Sequence, residues 1–389
     1  MMRRALIVLV GHLLLCVTGN TGTAQENEEQ RRAADKIRKI VPELIKTPGD
    51  DQVFIMGDGG VVLGVTLGDS KKLTDDDLAL LQPFKKLALL DLHNTRITDK
   101  GLEKIRDLKE LRNLDLNHTL VTDTGMEFLK EFHHLEWLGL MDTIVTDKGF
   151  KSLETLSELK SLYLLRTRIT DKGLETLTNF KDLEEVDLSS TGIGDQGLKH
   201  VGQLTKLKKL YLSSERITDE GVKFLKSLTQ LEILHINARV TDKSLNIIET
   251  FNNLQTLDLM YTGVGDKGLK RLARLTKLTK LYLSQTRITD EGIKSIKPLT
   301  GVEILFIDSN AVTDEGIKHL QDLTNLTTLN LAGTLITDKG LDQIKGLRKL
   351  RELMVYETKV TDAGVQKLKE ALPDLQVIRT GYALPRRGP

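Results

Sequence analysis

Leucines recur along this chain with a spacing of 24 residues. The phrase Leu111, Leu114, Leu116 returns beginning at Leu135, and most of the sequence carries the same phrase. A unit this short cannot bury its apolar face alone, so each unit must stack on its neighbours. The pattern therefore predicts a solenoid.

Two hydrophobic periods alternate within each unit. Leu90 and Leu92 are spaced as in a strand whose leucines face the core, whereas Leu102, Ile105 and Leu108 have helical spacing. Strand and helix would enclose one leucine-rich layer, which predicts an α/β fold. Phenylalanines take the position of Leu108 in other units, and we assign them to the core: Phe84, Phe132, Phe180 and Phe251.

The array should span residues 69–370, with about twelve repeats beginning near the phrase Leu73-Thr74-Asp75. One step, from Ile217 to Val240, is one residue shorter and lacks the position that holds threonine elsewhere; we expect a tightened loop there. Residues 25–68 are predicted to form a helix and two capping strands. Residues 371–389 are predicted to form a carboxy-terminal cap and a disordered tail.

A Thr-Asp pair recurs just before the predicted helices. A threonine or aspartate there can accept a hydrogen bond from the free amides of the first helical turn. A second set of threonines follows the strands, where their hydroxyls can satisfy loop backbone groups. These strand-end threonines are Thr95, Thr119, Thr143, Thr167, Thr191, Thr262, Thr286, Thr334 and Thr358.

Residues 326–344 read Leu-x-x-Leu-x-Leu-x-x-Thr-x-Ile-Thr-Asp-x-Gly-Leu-x-x-Ile, which resembles the leucine-rich repeat family. The threonine-rich form and the amino terminus resemble exported bacterial proteins of the planctomycete type. The resemblance implies a horseshoe solenoid with a concave parallel sheet and convex helices, and a binding role without a defined ligand.

The amino terminus has the pattern of an export signal. Arg3 and Arg4 precede an apolar stretch that ends at Cys16, and Ala24 closes a small-residue cleavage site. We expect residues 1–24 to be removed and the protein to be periplasmic, at the cell surface or secreted, with no integral membrane segment. Leu15 stands before Cys16 where a lipid-anchoring signal needs a small residue, so lipid anchoring is not expected.

The charge balance argues against a nucleic-acid partner. The chain has 56 basic and 55 acidic residues, and without residues 1–24 it has 54 and 55. Nonspecific binding to a polyanion needs a basic surplus.

Aromatic residues make up only 4% of the chain, yet most tyrosines and the one tryptophan fall on or beside strand positions that face away from the core. Rings with polar tips are favoured at recognition surfaces. We therefore predict a protein-binding concave face. The predicted ligand-binding residues are Trp137, Tyr163, Asp187, Tyr211, His235, Asp258, Tyr261, Tyr282, Phe306 and Tyr356. The alternative hypothesis is a glycan or cell-wall polysaccharide ligand. A third hypothesis is a purely architectural envelope protein.

A second cluster is predicted at the first two rungs, where Asp91, His93, Asp115 and His118 would project near one another. Aspartate and histidine can bind a metal, but paired surface acids are commonly only solvated, so the sequence leaves this open and we assign no metal. No catalytic motif is present, and we expect neither a cofactor nor enzymatic activity.

Overall fold

The computed structural model describes residues 24–44, 53–57 and 60–380, and the chain divides into two compact units between Leu183 and Glu184. The predicted export segment before Ala24, including Cys16, and the predicted tail beyond Thr380 lie outside the described residues. Each unit is a parallel sheet with short helices on one side. Stacked repeats of strand and helix are therefore present in both units.

In the first unit, a short antiparallel pair leads into parallel strands that follow one another in chain order. These strands are β1 (Phe54–Met56), β2 (Val62–Thr66), β3 (Leu89–Asp91), β4 (Asn113–Asp115), β5 (Trp137–Gly139) and β6 (Ser161–Tyr163).

In the second unit, all strands are parallel and again follow chain order. They are β7 (Glu185–Asp187), β8 (Lys209–Thr218), β9 (Ile233–Arg239), β10 (Thr256–Asp258), β11 (Lys280–Tyr282), β12 (Ile304–Phe306), β13 (Thr328–Asn330), β14 (Glu352–Met354) and β15 (Gln376–Ile378).

The helices between the strands are mostly one or two turns long. The α-helices are α1 (Ala24–Ile40), α2 (Asp99–Ile105), α3 (Asp123–Leu129), α4 (Asp147–Lys151), α5 (Leu198–Val201), α6 (Asp219–Val222), α7 (Leu245–Ile248), α8 (Asp266–Leu272), α9 (Asp290–Ser295), α10 (Asp314–Ile317), α11 (Asp338–Ile344) and α12 (Asp362–Ala371). The 3₁₀ helices are Pro42–Leu44, Asp76–Leu81, Gly173–Asn179, Lys223–Ser227 and Lys318–Asp322.

The predicted core is confirmed. Leu90, Leu92, Leu102 and Ile105 are fully inaccessible to solvent, and their equivalents in other repeats are buried in the same way. The phenylalanines assigned to the core are also fully buried: Phe84, Phe132, Phe180 and Phe251. Because they fill the layer between strands and helices, they need no functional explanation.

The amino-terminal residues that the structure describes form a helix, a 3₁₀ turn and two strands ahead of the repeats. Ile37 and Val41 are buried at the end of α1, and a 3₁₀ turn begins at Pro42, which cannot continue the α-helix. β2 pairs in parallel with β3 and so covers the first edge of the repeat sheet. At the other end, β15 pairs with β14 after helix α12, as predicted.

The strand-end threonines close the turn that follows each strand. All nine donate their hydroxyl to the carbonyl of the residue three positions earlier, as Thr95 does to Leu92 at 2.7 Å. The residue before most of these threonines adopts a left-handed conformation, for example Asn94 at φ 51°. The predicted role of these threonines is therefore confirmed.

In seven of the described α-helices the preceding threonine caps the helix as predicted; the Thr98 hydroxyl, for example, accepts a hydrogen bond from Lys100 N. The aspartate beside it has a different role: its carboxylate reaches the next repeat. Asp75 accepts hydrogen bonds from Thr98 N at 2.8 Å and Thr98 Oγ1 at 2.6 Å. We call this recurring contact the aspartate ladder. Its other aspartates in the first unit are Asp99, Asp123 and Asp147.

The second unit continues the same contact from Asp195 to Asp338. A glycine packs against nearly every ladder aspartate. A Cβ placed on Gly340 would lie 2.5 Å from Asp314 Oδ1, which is too close for any real side chain. One repeat has Ser244 in place of this glycine, and its hydroxyl donates a hydrogen bond to Asp219 at 2.6 Å. The Asp-x-Gly phrase of the sequence therefore joins two repeats as well as starting a helix.

The short repeat differs from the predicted tightened loop. β8 and β9 are lengthened to ten and seven residues and stay paired from Lys209–Ile233 as far as Thr218–Arg239. Glu215 stands where other repeats have the turn-closing threonine, and the next repeat lacks that position altogether. No residue there has positive φ. The turn is replaced by continuing strand because nothing is present to close it.

We expect Gly340→Ala to lower the free energy of unfolding by about 1–3 kcal/mol, the usual cost of overpacking. Helix propensity alone predicts the opposite sign, since alanine is about 1 kcal/mol better than glycine inside a helix. The sign of the change, measured by urea unfolding, therefore reports on contact with Asp314.

The matched control is Gly346→Ala, where a Cβ would have no neighbour within 4 Å. This substitution should be neutral or slightly stabilising. Adding Asp314→Ala to Gly340→Ala should cost less than the sum of the two single changes, because the clash disappears with the carboxylate. Strict additivity would contradict the ladder as described.

Candidate recognition surface

One face of the sheet lies opposite the helices, and we call it the open face. Strand alternation places on it the residue between the two core leucines of each strand, as the sequence predicted. Strand register brings these residues into rows. In the second unit the row runs Asp187, Tyr211, His235, Asp258, Tyr282, Phe306, Asn330 and Met354.

Four rings of this row form what we call the aromatic column: Tyr211, His235, Tyr282 and Phe306. The Tyr211 and His235 centroids are 4.9 Å apart, and those of Tyr282 and Phe306 are 5.1 Å apart with an edge-on packing of 74°. The His235 and Tyr282 centroids are 6.5 Å apart across the intervening strand. All four rings are partly exposed. They form a continuous apolar strip that solvent can reach.

Asp258 lies within the column but is itself buried, at 7% exposure. Its carboxylate is 3.2 Å from His235 Nδ1 and accepts a hydrogen bond from Asn237 Nδ2 at 3.2 Å. Burial, together with the negative charge of Asp258, raises the pKa of Tyr282. Asp258 therefore orients His235 and sits beneath the rings, where a ligand would meet little of it.

Two other acids line the open face beside the column. Burial raises the pKa of Asp187 and of Asp308 above that of a free aspartate. Asp308 accepts hydrogen bonds from Ser284 Oγ at 2.5 Å and Asn330 Nδ2 at 2.8 Å. Burial likewise raises the pKa of Tyr211, so its hydroxyl stays protonated at neutral pH and can donate a hydrogen bond. The column thus combines apolar rings with fixed polar groups.

The first unit holds a separate ring pair on its open face. The Trp137 and Tyr163 centroids are 5.1 Å apart. A Cβ on Gly139 would lie 2.6 Å from Asn117 Nδ2 and 2.8 Å from Trp137 Cη2, so the indole packs against a position that has no room for a side chain. Trp137 is consequently buried at 9% exposure, and Tyr163 is the more accessible ring.

The two remaining predicted tyrosines lie outside the aromatic column. Tyr356 is half-buried and lies two residues beyond Met354, the last residue of β14, near Asn330. Burial raises the pKa of Tyr356. Tyr261 is not on the sheet: it occupies the left-handed turn after β10, with φ 62° and 60% exposure. The strand ends before Tyr261, and a role for Tyr261 in ligand binding stays a prediction.

Three of the four residues predicted to cluster at the first rungs do so. Single ligand atoms of Asp91, His93 and Asp115 lie within 4.8 Å of one another. His118 instead occupies a left-handed turn, with its Nδ1 3.4 Å from Asp142 Oδ2. The turn geometry carries His118 off the open face, so the sequence grouped it wrongly.

Hydrogen bonds define the state of this cluster. His93 Nδ1 lies 2.6 Å from Asp91 Oδ1, and His93 Nε2 lies 3.4 Å from Asp69 Oδ2. The bond to Asp91 raises the pKa of His93 to about 9, and burial with the charge of Asp91 raises the pKa of Asp115 to about 7. Both ring nitrogens of His93 lie near a carboxylate, which favours the protonated imidazolium. The geometry favours a proton-holding cluster.

A cavity of about 680 Å³ opens beside the lengthened strands β8 and β9, on the turn side of the second unit. The sequence did not predict it. Its lining includes Glu215, Arg239, Tyr261, Gly263 and Arg287. The only sign of it in the sequence was the one-residue deletion before Val240. A deletion shows that a loop changes, but it does not show that a cavity forms beside the loop.

Within the described residues, no helix is long and apolar enough to cross a membrane.

Five segments of the chain match a protein-family model described as Leucine Rich repeat: residues 181–201, 203–226, 252–273, 274–297 and 322–344. These segments coincide with strand-and-helix units of the structure. The fold is a leucine-rich repeat solenoid. A comparison with curated proteins found no match.

Solved leucine-rich repeat structures share this fold. An internalin of Listeria monocytogenes is similar over 94% of this chain and 99% of its own, with 23% identity and a TM-score of 0.66. A leucine-rich repeat protein of Leptospira interrogans is similar over 77% of this chain and 80% of its own, with 20% identity and a TM-score of 0.55. A TDR receptor is similar over 82% of this chain and 59% of its own, with 13% identity and a TM-score of 0.52. At these identities the likeness concerns the fold alone.

The first-rung cluster predicts a pH dependence of stability. The pKa of Asp115 rises on folding from 3.8 to about 7 and that of His93 from 6.5 to about 9, so the folded protein binds protons more tightly. Stability should fall as pH rises through both intervals. Asp115→Asn, which mimics the protonated acid, should gain stability over the native protein by about 2 kcal/mol at pH 8 and by less at pH 5.

Thermal unfolding at pH 5, 6.5 and 8 measures this difference. Asp374→Asn, which changes an exposed acid on a turn, is the control and should show no such trend. A gain for Asp115→Asn that shrinks as pH rises would contradict the described charge state.

Proposed function

We propose that this protein is a non-enzymatic, extracytoplasmic recognition protein that binds a partner protein through the aromatic column on the open face. The leucine-rich repeat fold supports a binding role in general terms. The export-signal pattern before Ala24 supports a place outside the cytoplasm. The resemblance to planctomycete proteins rests on the sequence pattern alone and stays a prediction.

The observation that carries the proposal is a row of partly exposed rings that the core does not need. Every core layer is already closed by leucines and phenylalanines on the helix side of the sheet. Tyr211, His235, Tyr282 and Phe306 lie on the other side, against one another. Clustered aromatic side chains with polar tips are typical of energetic centres in protein interfaces.

The dimensions of the column favour a protein partner. Tyr211 and Phe306 are four strand steps apart, and at about 4.8 Å per step the column extends over about 19 Å. A surface of this length fits a segment of several residues. Asp187 and Asp308 at its margins can accept hydrogen bonds from a partner's backbone or basic side chains.

A glycan ligand is the second candidate, and the ring geometry favours it less. Sugars stack on exposed ring faces, whereas Tyr211 is tilted by 45° against His235 and Tyr282 meets Phe306 by its edge. Packing of ring on ring covers part of the faces that a sugar would use. A purely architectural envelope protein is the third candidate, and for it the rings should be replaceable without any phenotype.

The test is affinity capture from native envelope extract with residues 25–389 as bait. A triple variant, Tyr211→Ala/Tyr282→Ala/Phe306→Ala, should lose the partner that the native sequence retains. With the partner purified, the affinity should fall by about 100-fold or more, since each interface aromatic typically contributes 1–2 kcal/mol or more.

The control is Phe224→Ala/Leu335→Ala, which removes exposed apolar side chains away from the column. Its binding should match that of the native protein, and all variants should show native circular dichroism. Protease treatment of the extract should abolish capture. Capture that survives protease treatment would point to a glycan, and equal capture by the triple variant would refute the column as the binding surface.

A further inference from the structure

The lateral cavity of the second unit arises where two neighbouring repeats break the repeat pattern in different ways. On one side, β8 and β9 continue as strands where a turn belongs. On the other side, the turn resumes at Tyr261 with its left-handed conformation. The backbone therefore changes course between adjacent rungs, and the change leaves a step on the surface.

Glycines deepen this step. The position between the turn-closing threonine and the next core residue carries arginine in several repeats, including Arg239 and Arg287, but glycine at Gly263. Gly263 N donates to Val240 O at 2.8 Å, so the backbone there is held against the preceding rung. Gly265 also stands where most repeats have a threonine before the helix. One rung thus lacks side chains between two arginines.

The lining has the chemistry of a site for one carboxylate. Arg287 is exposed, and among the described residues no carboxylate lies within the ion-pair distance of 4.0 Å from its guanidinium. Arg239 faces Glu215 at 3.0 Å in a pair that is largely exposed and hence weak. The exposed ring of Tyr261 provides an apolar wall.

We propose that this cavity is a second binding site, which takes an aspartate or glutamate side chain of an extended peptide segment between Arg239 and Arg287. Arginine binds carboxylates through paired N–H donors. Glu215 in the lining disfavours a densely charged polyanion, and its carboxylate can accept a hydrogen bond from a backbone N–H of a peptide. A volume of 680 Å³ is within the range of ligand sites and exceeds that of a carboxylate alone.

This site is on the turn side of the repeats, whereas the aromatic column is on the open face. Binding at the cavity therefore does not depend on binding at the aromatic column.

The probe is a displayed library of random 12-residue peptides, selected on the native protein and on two variants. Gly263→Leu fills the cavity without changing charge, and the fold accepts leucine there because Leu120 and Leu335 occupy the same position in other repeats. Arg287→Gln removes the unpaired guanidinium. Arg168→Gln is the matched control, since Arg168 has the same repeat position and is also exposed but lies in the first unit.

We expect the native protein to enrich peptides with one acidic residue. A synthetic copy should lose about tenfold or more in affinity to Gly263→Leu and to Arg287→Gln, as measured by fluorescence anisotropy, and nothing to Arg168→Gln. Replacing the peptide acid by its amide should cause a similar loss. The triple variant of the aromatic column should bind this peptide normally, which separates the two sites.

Several results would overturn the inference. Enrichment without acidic residues would do so, as would peptides whose affinity is unchanged by filling the cavity. Binding of an oligouronate panel with the same dependence on Gly263 and Arg287, in the absence of peptide binding, would replace the peptide by an acidic sugar.

Discussion

The contact on which the rest of this structure depends is the hydrogen-bonded aspartate that joins one repeat to the next. Asp290, for example, accepts hydrogen bonds from both the backbone and the hydroxyl of Thr313. The carboxylate fits only because the following repeat has no side chain where the two come closest, as at Gly316. Leucine burial supplies the gross stabilisation, but burial is non-directional. The aspartate ladder gives the stack a fixed register.

A frame held in this way leaves few positions free to vary. Inward strand residues are fixed by packing, and turn threonines and ladder residues are fixed by hydrogen bonds. The outward strand residues and the turn side chains are not constrained by core packing or by the ladder. The aromatic column and the lateral cavity are found at these positions. At the short repeat the ladder survives, since Asp219 still binds Thr241, while the turn is lost. The surface can therefore change locally without breaking the stack.

The sequence predicted those features that follow from short-range periodicity. Alternation placed Tyr211 and Tyr282 on the open face, and helical spacing placed Leu102 and Ile105 in the core. The sequence analysis missed the aspartate ladder, whose partners lie a full repeat apart. Helix capping and the ladder use the same residue types at the same positions, so the sequence pattern does not distinguish them. His118 was grouped wrongly because a left-handed turn redirects its side chain, and strand alternation cannot predict such a turn. The burial of Trp137 and Asp258 depends on which side chains the neighbouring strands place beside them, and periodicity carries no information about that.

The structure implies that the repeat frame and the proposed recognition surface are made by different residues. A protease-susceptibility scan of all single substitutions in residues 184–380 tests it most directly, because it ranks every position by its effect on folding. The account predicts that Asp290, Asp314, Gly316 and Gly340 tolerate almost nothing, whereas Tyr211, Tyr282 and Phe306 accept most polar residues with little loss of stability. If the three rings proved as intolerant as the ladder, they would be structural, and the claim would be contradicted.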